Sequence, residues 1–171
     1  PRLTYGVRLQ PEWYKGSGAY HLGNPDTGKA GYIAMGRSSD KSPMFNLPPW
    51  VLHEGVPGHH LQISMMLENQ ELPEFRRSDG ITAYVEGWAL YAEKLGIEMG
   101  MYRTPYENFG RLTLEMWRAC RLVVDVGIHY KGWTFEQAVN YMKENTALVE
   151  RDIEKEVLRY GASPGQALGY K

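Results

Sequence analysis

The sequence contains almost no cysteine. Its 171 residues include a single one, Cys120, so the chain forms no internal disulfide. Cys120 lies between Ala119 and Arg121 in a helical pattern, and we interpret it as a small core residue and not as a nucleophile.

An excess of one charge and long apolar runs are missing as well. The 19 Lys and Arg residues nearly balance the 20 Asp and Glu residues, for a net charge of −1. The sequence has no block of basic residues, so a nucleic-acid partner is not expected. No apolar run approaches the roughly 20 residues of a membrane helix. A content of 43% hydrophobic and 23% charged residues is typical of one compact domain with a real core.

The histidines, in contrast, are concentrated. Three of the five lie in the octapeptide His-Glu-Gly-Val-Pro-Gly-His-His, residues 53–60. Neutral imidazoles together with a carboxylate are the ligands that zinc prefers. A hydrolytic metal site also needs a general base beside the attacking water. The segment therefore predicts a zinc site, with His53 as a ligand and Glu54 as the general base.

The spacing departs from the usual zinc-protease pattern, which places two His residues at i and i+4 on one helix. Here Pro57 occupies position i+4. Because proline removes a helical hydrogen bond and clashes with the preceding turn, Pro57 and Gly58 predict a kink or a restart of the helix. Two residues absorbed there would bring His59 to the place of the second ligand. His60 is the alternative.

A third protein ligand is expected from the segment Thr-Ala-Tyr-Val-Glu-Gly-Trp-Ala-Leu-Tyr-Ala-Glu, residues 82–93. Its apolar residues indicate a buried helix, and Glu86 and Glu93 share one face. A carboxylate in such surroundings is costly to bury unless it is paired or bound to metal. We predict Glu86 as the third ligand and Glu93 as a carboxylate that orients a ligand or forms an ion pair. The alternative is that both lie on a solvated face.

A long helix from Pro105 to about Lys131 is predicted to carry a polar stripe. Its members fall in one sector of the helical wheel: Arg111, Arg118, Arg121, Asp125 and His129. Asp125 is spaced to orient His129, which could then donate to an oxyanion as it forms. Arg118 and Arg121 could hold a substrate carboxylate by bidentate bonding. The alternative is an internal salt-bridge network that ties helices together.

The chain divides into two zones. Residues 1–47 are rich in Gly, Pro, Asn and Asp and predict loops with one or two short strands. Residues 48–171 predict helices. Three capping boxes mark helix starts, at Thr104–Glu107, Thr134–Gln137 and Ser163–Gln166.

Four segments in succession resemble a large bacterial family of unknown function that is grouped with zincin-like metallopeptidases and carries the motif HExxPGHH. They are HEGVPGHHLQ, TAYVEGWALYAEKL, RACRLVVDVGIHYKGWTFEQAVNYM and RYGASPGQALGYK. The resemblance implies a mainly α fold, a zincin-like helical catalytic domain with a loop- and strand-rich N-terminal zone. It also implies that residues 1–171 are a single domain, the C-terminal catalytic part of a longer protein whose missing N-terminal part supplies the other wall of the cleft. The last segment selects Tyr170 as a further catalytic residue, a hydrogen-bond donor to the tetrahedral intermediate.

These observations predict a zinc-dependent hydrolase, a peptidase in which Glu54 activates the water. The expected partner is a peptide or small amide substrate, with no nucleic acid and no membrane segment. Two alternatives stay open. One is a metal hydrolase of non-peptide amides or esters, and the other is a binding or scaffold module without catalysis.

Overall fold

The computed structural model describes residues 1–13, 18–36 and 43–170. Its N-terminal zone forms a small sheet of three strands, β1 (Tyr5–Leu9), β2 (Ala19–His21) and β3 (Gly31–Met35). β3 lies in the centre, parallel to β1 and antiparallel to β2. The apolar side chains of Ile33 and Ala34 are buried in this central strand. The zone thus has more regular structure than the one or two strands predicted.

The rest of the described chain is helical, which confirms the mainly α class. A short 3₁₀ turn at Met44–Asn46 precedes α1, and a second one at Gln166–Tyr170 follows α7. The helices between them are α1 (Leu47–Glu54), α2 (His59–Glu68), α3 (Glu74–Ser78), α4 (Thr82–Glu98), α5 (Pro105–His129), α6 (Phe135–Asn145) and α7 (Glu150–Ala162). No helix in the described ranges is both long and apolar enough to span a membrane.

Three predicted boundary signals are present in the structure and one is not. Thr104 and Thr134 form the predicted capping boxes of α5 and α6. The predicted break at Pro57 and Gly58 is also present, since α1 ends at Glu54 and α2 begins at His59. The exception is Ser163, whose predicted capping box is replaced by the 3₁₀ turn at Gln166–Tyr170.

The apolar core lies where α5, α6 and α7 meet. Its best-buried members are Val124, Ala138, Met142, Ile153, Val157 and Tyr160. At the other side of α5, helix α1 packs on both α4 and α5, and the final 3₁₀ turn packs between α4 and α5. The candidate site lies in this second region.

Candidate metal centre

The junction between α1 and α2 brings the histidine motif together. His53 and Glu54 are the last two residues of α1, and His59 is the first residue of α2. The chain turns so tightly that a Cβ on Gly58 would lie 1.9 Å from the carbonyl oxygen of His53. Only glycine therefore fits between the two helices. The indole N–H of Trp88 in α4 donates to the carbonyl oxygen of Pro57 at 2.8 Å and fastens the turn to α4.

Two imidazoles and one carboxylate converge at this junction. The Nε2 atoms of His53 and His59 lie 3.5 Å and 3.6 Å from the same oxygen of Glu86, Oε2. The two rings are nearly perpendicular, with centroids 4.7 Å apart. Oε2 of Glu86 is buried and has no hydrogen-bond partner among the described residues. Burial acts to raise the pKa of Glu86, but the two imidazoles outweigh it and hold that pKa well below its usual range.

The spacing of these three atoms fits a shared metal ion better than direct hydrogen bonds. Hydrogen bonds of this type are about 2.7–3.2 Å long. Ligand atoms that bind one tetrahedral zinc ion at about 2.0–2.2 Å lie about 3.3–3.6 Å from one another. The set His53, His59 and Glu86 is also chemically suited to zinc. The residues present therefore fit the metal that the sequence predicts.

Glu54 provides a second carboxylate at the same place. One ligand atom from each of His53, Glu54 and His59 lies within 4.8 Å of the other two. The backbone N–H of Tyr20, in edge strand β2, donates to Oε2 of Glu54 at 2.8 Å. Since Glu86 is the carboxylate that lies against both imidazole Nε2 atoms, we assign Glu86 to the ligand set. Glu54 is then the second carboxylate beside this set and lies outside it.

A buried ion pair between Glu93 and Arg118 contacts the Nδ1 side of the His53 ring. Oε1 of Glu93 lies 2.7 Å from Nδ1 of His53 and 3.1 Å from a guanidinium nitrogen of Arg118. Glu93 is almost fully buried, and Arg118 compensates its charge. An Nδ1–H that donates to Glu93 leaves the lone pair of His53 on Nε2, the atom that faces Glu86. Glu93 thus occupies the orienting position that the sequence suggested.

Gln166 is a residue that the sequence analysis missed. Its carbonyl oxygen accepts from Arg121 at 2.7 Å and from Arg159 at 3.1 Å. These two donors fix the orientation of the amide, so its NH₂ group must face the other way. There it donates to Oε1 of Glu86 at 3.0 Å. Gln166 therefore occupies one oxygen of Glu86 and leaves Oε2 free for the histidines.

Tyr170 lies within the same cluster. Its ring is stacked near that of His53, with centroids 6.4 Å apart, and its hydroxyl accepts from the amide of Gln166 at 3.3 Å. The guanidinium of Arg121 covers the ring at 4.0 Å from its centroid. Burial raises the pKa of the phenol, so Tyr170 keeps its proton at neutral pH.

The structure separates His60 from this cluster. Nδ1 of His60 lies 2.9 Å from the hydroxyl of Tyr20 and 3.4 Å from that of Ser64, and its ring packs on Tyr5. Burial lowers the pKa of His60. Of the two neighbours that the sequence left open, His59 is the one that faces Glu86.

The predicted roles of His129 and Asp125 do not agree with the structure. Nε2 of His129 donates to the carbonyl oxygen of Tyr160 at 2.9 Å. His129 lies eleven residues beyond Arg118 along α5, or about 16 Å along the axis, so it is remote from the cluster. The Asp125 carboxylate accepts from the backbone N–H of Gly165 at 3.1 Å. It thus supports the turn before Gln166 instead of orienting His129.

The substrate-binding interpretation of Arg118 and Arg121 is likewise replaced by an internal one. Both side chains are buried, and their charged groups contact Glu93 and Gln166 respectively. The polar stripe of α5 is therefore an internal network, which was the alternative interpretation of the sequence. Two of its members, Arg118 and Arg121, contact Glu93 and Gln166 beside the candidate site.

Comparison with known proteins agrees with the helical architecture. The crystal structure of "the putative lipoprotein from Colwellia psychrerythraea" matches the chain with a TM-score of 0.94 and 43% identity. The match covers 99% of the chain and 30% of that protein, so the chain spans less than a third of that relative's length. A comparison with curated proteins finds no significant match.

The family assignment rests on the whole length of the chain. Residues 1–171 match the family described as "Bacterial protein of unknown function (DUF885)", which includes the four segments singled out in the sequence. The chain belongs to this family.

Proposed function

We propose that the protein is a zinc-dependent hydrolase of the zincin type, and that its substrates are peptides. His53, His59 and Glu86 hold the metal, and Glu54 is the general base. The observation that carries the proposal is the convergence of two Nε2 atoms on the free Oε2 atom of Glu86, at 3.5 Å and 3.6 Å.

A second carboxylate favours a catalytic centre over a structural one. A structural zinc site is normally closed by four protein ligands, whereas a catalytic site has three and keeps one position open. Here three ligands are accompanied by Glu54, which has one oxygen held by Tyr20 and lies within 4.8 Å of both histidines. A scaffold that keeps zinc only for stability has no use for this group.

The chemistry divides between the metal and the residues around it. Zinc, when bound, polarises a substrate carbonyl and lowers the pKa of bound water to about 7. Glu54 accepts the proton of the attacking water and delivers it to the leaving amine. The phenol of Tyr170 is neutral and lies beside His53. We infer that its hydroxyl donates a hydrogen bond to a developing oxyanion.

Glu54→Gln tests this proposal. Gln preserves the shape and accepts the hydrogen bond from Tyr20, but it cannot take a proton from water. We expect zinc content to stay at the wild-type level and hydrolysis of a quenched fluorescent peptide library to fall by about 10²–10⁴-fold. Glu144→Gln, an exposed change on α6, is the matched control and should leave both unchanged.

The assay also discriminates among the alternatives. Zinc-dependent hydrolysis of amide or ester substrates without any peptide hydrolysis would identify the non-peptide hydrolase. A zinc-loaded protein in which Glu54→Gln keeps activity within about tenfold of wild type would contradict the general-base role.

A further inference from the structure

Helix α5 is apolar on its exposed face as well as in the part that joins the core. Its buried face combines core residues such as Leu114 and Val124 with Arg118 and Arg121, which contact Glu93 and Gln166 beside the candidate site. Its exposed face is apolar along most of its length. A surface helix of a globular domain normally has one apolar stripe, which faces the core, and a polar face toward solvent.

The exposed apolar side chains form one continuous row, which we call the α5 seam. It consists of Phe109, Leu112, Met116, Val123 and Val126 in α5 and of Tyr130, the residue that caps the C-terminus of α5. Their exposed fractions run from 39% at Val126 to 80% at Tyr130. The exposed Ala119 fills the gap between Met116 and Val123, so the spacing alternates strictly between three and four residues. This is the 3.5-residue period of helices that pack side by side, sustained over about 32 Å.

The borders of the seam carry little charge. Glu115 and Lys131 are the charged, exposed residues beside it; Glu115 forms an ion pair with Arg111 on its own helix, and the ammonium of Lys131 lies over the ring of Tyr130. Transient interfaces have a polar rim around their apolar centre. A long apolar row without such a rim indicates a surface that is covered permanently.

We propose that the α5 seam is the docking site of a second long helix with an apolar heptad row, supplied by the same polypeptide outside residues 1–171. The chain matches only 30% of its structural relative from Colwellia psychrerythraea. A polypeptide as long as that relative has enough further residues to supply such a helix. The scarcity of charged flanks, with Glu115 and Lys131 both engaged by their own helix or the seam itself, favours this occupant over a second copy. Pairs of separate helices use flanking charges to set partner and register, whereas a tethered helix is already selected by its linkage.

Cysteine labelling tests the proposal without reference to zinc or catalysis. The native Cys120 is buried, so a single engineered cysteine can be followed with a maleimide reagent. Met116→Cys and Val123→Cys report on the seam, and Lys155→Cys, exposed on α7, is the control. Each variant is prepared as the 171-residue chain and at the natural length of the protein.

We expect all three variants to react at similar rates in the 171-residue chain. At natural length the two seam variants should react at roughly one tenth of that rate or below it, since the covered sites then react only through local opening. Lys155→Cys should keep its rate. Seam variants that react as fast as the control at natural length would overturn the proposal. Protection that disappears on dilution, with a dimer in sedimentation velocity, would also overturn it and assign the seam to a second copy.

Discussion

At the scale of single residues, the ionisable members of the site could be predicted, and the neutral one could not. The clustering of His53, Glu54 and His59 in one short segment, and a carboxylate at Glu86 in an apolar helix, are visible in the sequence. Gln166 carries no charge, and the sequence placed it only in the predicted capping box Ser163–Gln166 and not in the site. Its importance arises only because α4, α5 and α7 bring Glu86, Arg121 and Arg159 around one amide.

Gln166→Ala should weaken zinc binding. Without the amide, Glu86 loses the donor that holds Oε1, and two arginines lose their shared acceptor. Loss of such supporting hydrogen bonds typically costs 10–100-fold in metal affinity. We expect a loss of about that size in competition with a fluorescent zinc chelator. Gln70→Ala, an exposed change after α2, is the control, and an unchanged affinity in Gln166→Ala would show that Glu86 is held by other contacts.

At the scale of elements, patterns along the chain predicted well where helices form. They predicted poorly which residues each helix contacts. The two Thr capping boxes and the break at Pro57 are local features, and each is present. The polar stripe of α5 was also real, but a helical wheel ignores position along the axis. It grouped His129 with Arg118 although the two are about 16 Å apart. Which partners a stripe meets depends on tertiary packing, here on Glu93 and Gln166.

The α1–α2 junction gives a prediction at this scale. A Cβ on Gly58 would meet the backbone oxygens of His53 and Leu52 at 1.9 Å and 2.3 Å, and backbone atoms cannot move aside cheaply. Gly58→Ala should therefore lower the free energy of unfolding by about 1–3 kcal/mol and displace His59 from His53, which reduces zinc affinity. Urea denaturation in the presence of a chelator measures the first effect, and zinc titration measures the second.

Gly161→Ala is the matched control for this change. Gly161 lies inside α7, where an added Cβ meets nothing within 4 Å. Because Ala favours the helix over Gly, this variant should gain about 0.5–1 kcal/mol. If Gly58→Ala behaved in the same way, the close approach of the two helices would not be a constraint.

At the scale of the whole molecule, the candidate site connects elements that are far apart in sequence. The proposed ligands come from the end of α1, the start of α2 and the first half of α4. A ligand that binds only the folded state stabilises it by mass action. At a free zinc concentration of about 1,000 times Kd, the free energy of unfolding should rise by about 4 kcal/mol.

Thermal unfolding with and without a zinc chelator measures this stabilisation. We expect the wild-type Tm to fall on chelation and the Tm of His53→Ala to be insensitive to it, because that variant lacks a ligand. A wild-type Tm that is the same with and without zinc would mean that the metal contributes nothing to the folded state.

The sequence predicted the class of the fold because helical signals are local and strong. It predicted fewer strands than the three found in the described part of residues 1–47, where the strand signals are short and β3 is defined by its pairing with β1 and β2. It also contained the apolar spacing of the α5 seam, but spacing alone does not tell which face of a helix is exposed. The exposed face follows only from the packing of α5, which buries Arg118, Arg121 and Asp125 together with Val124.

Zinc content is the measurement that tests the central claim most directly. Elemental analysis of the purified wild type should give about one zinc per chain. His53→Ala, His59→Ala and Glu86→Ala should each lose most of it, because each removes one of three ligands. His60→Ala should retain zinc, since His60 binds Tyr20 and Ser64 instead. Full zinc retention in His53→Ala, or loss in His60→Ala with retention in His59→Ala, would contradict the ligand set proposed for this protein.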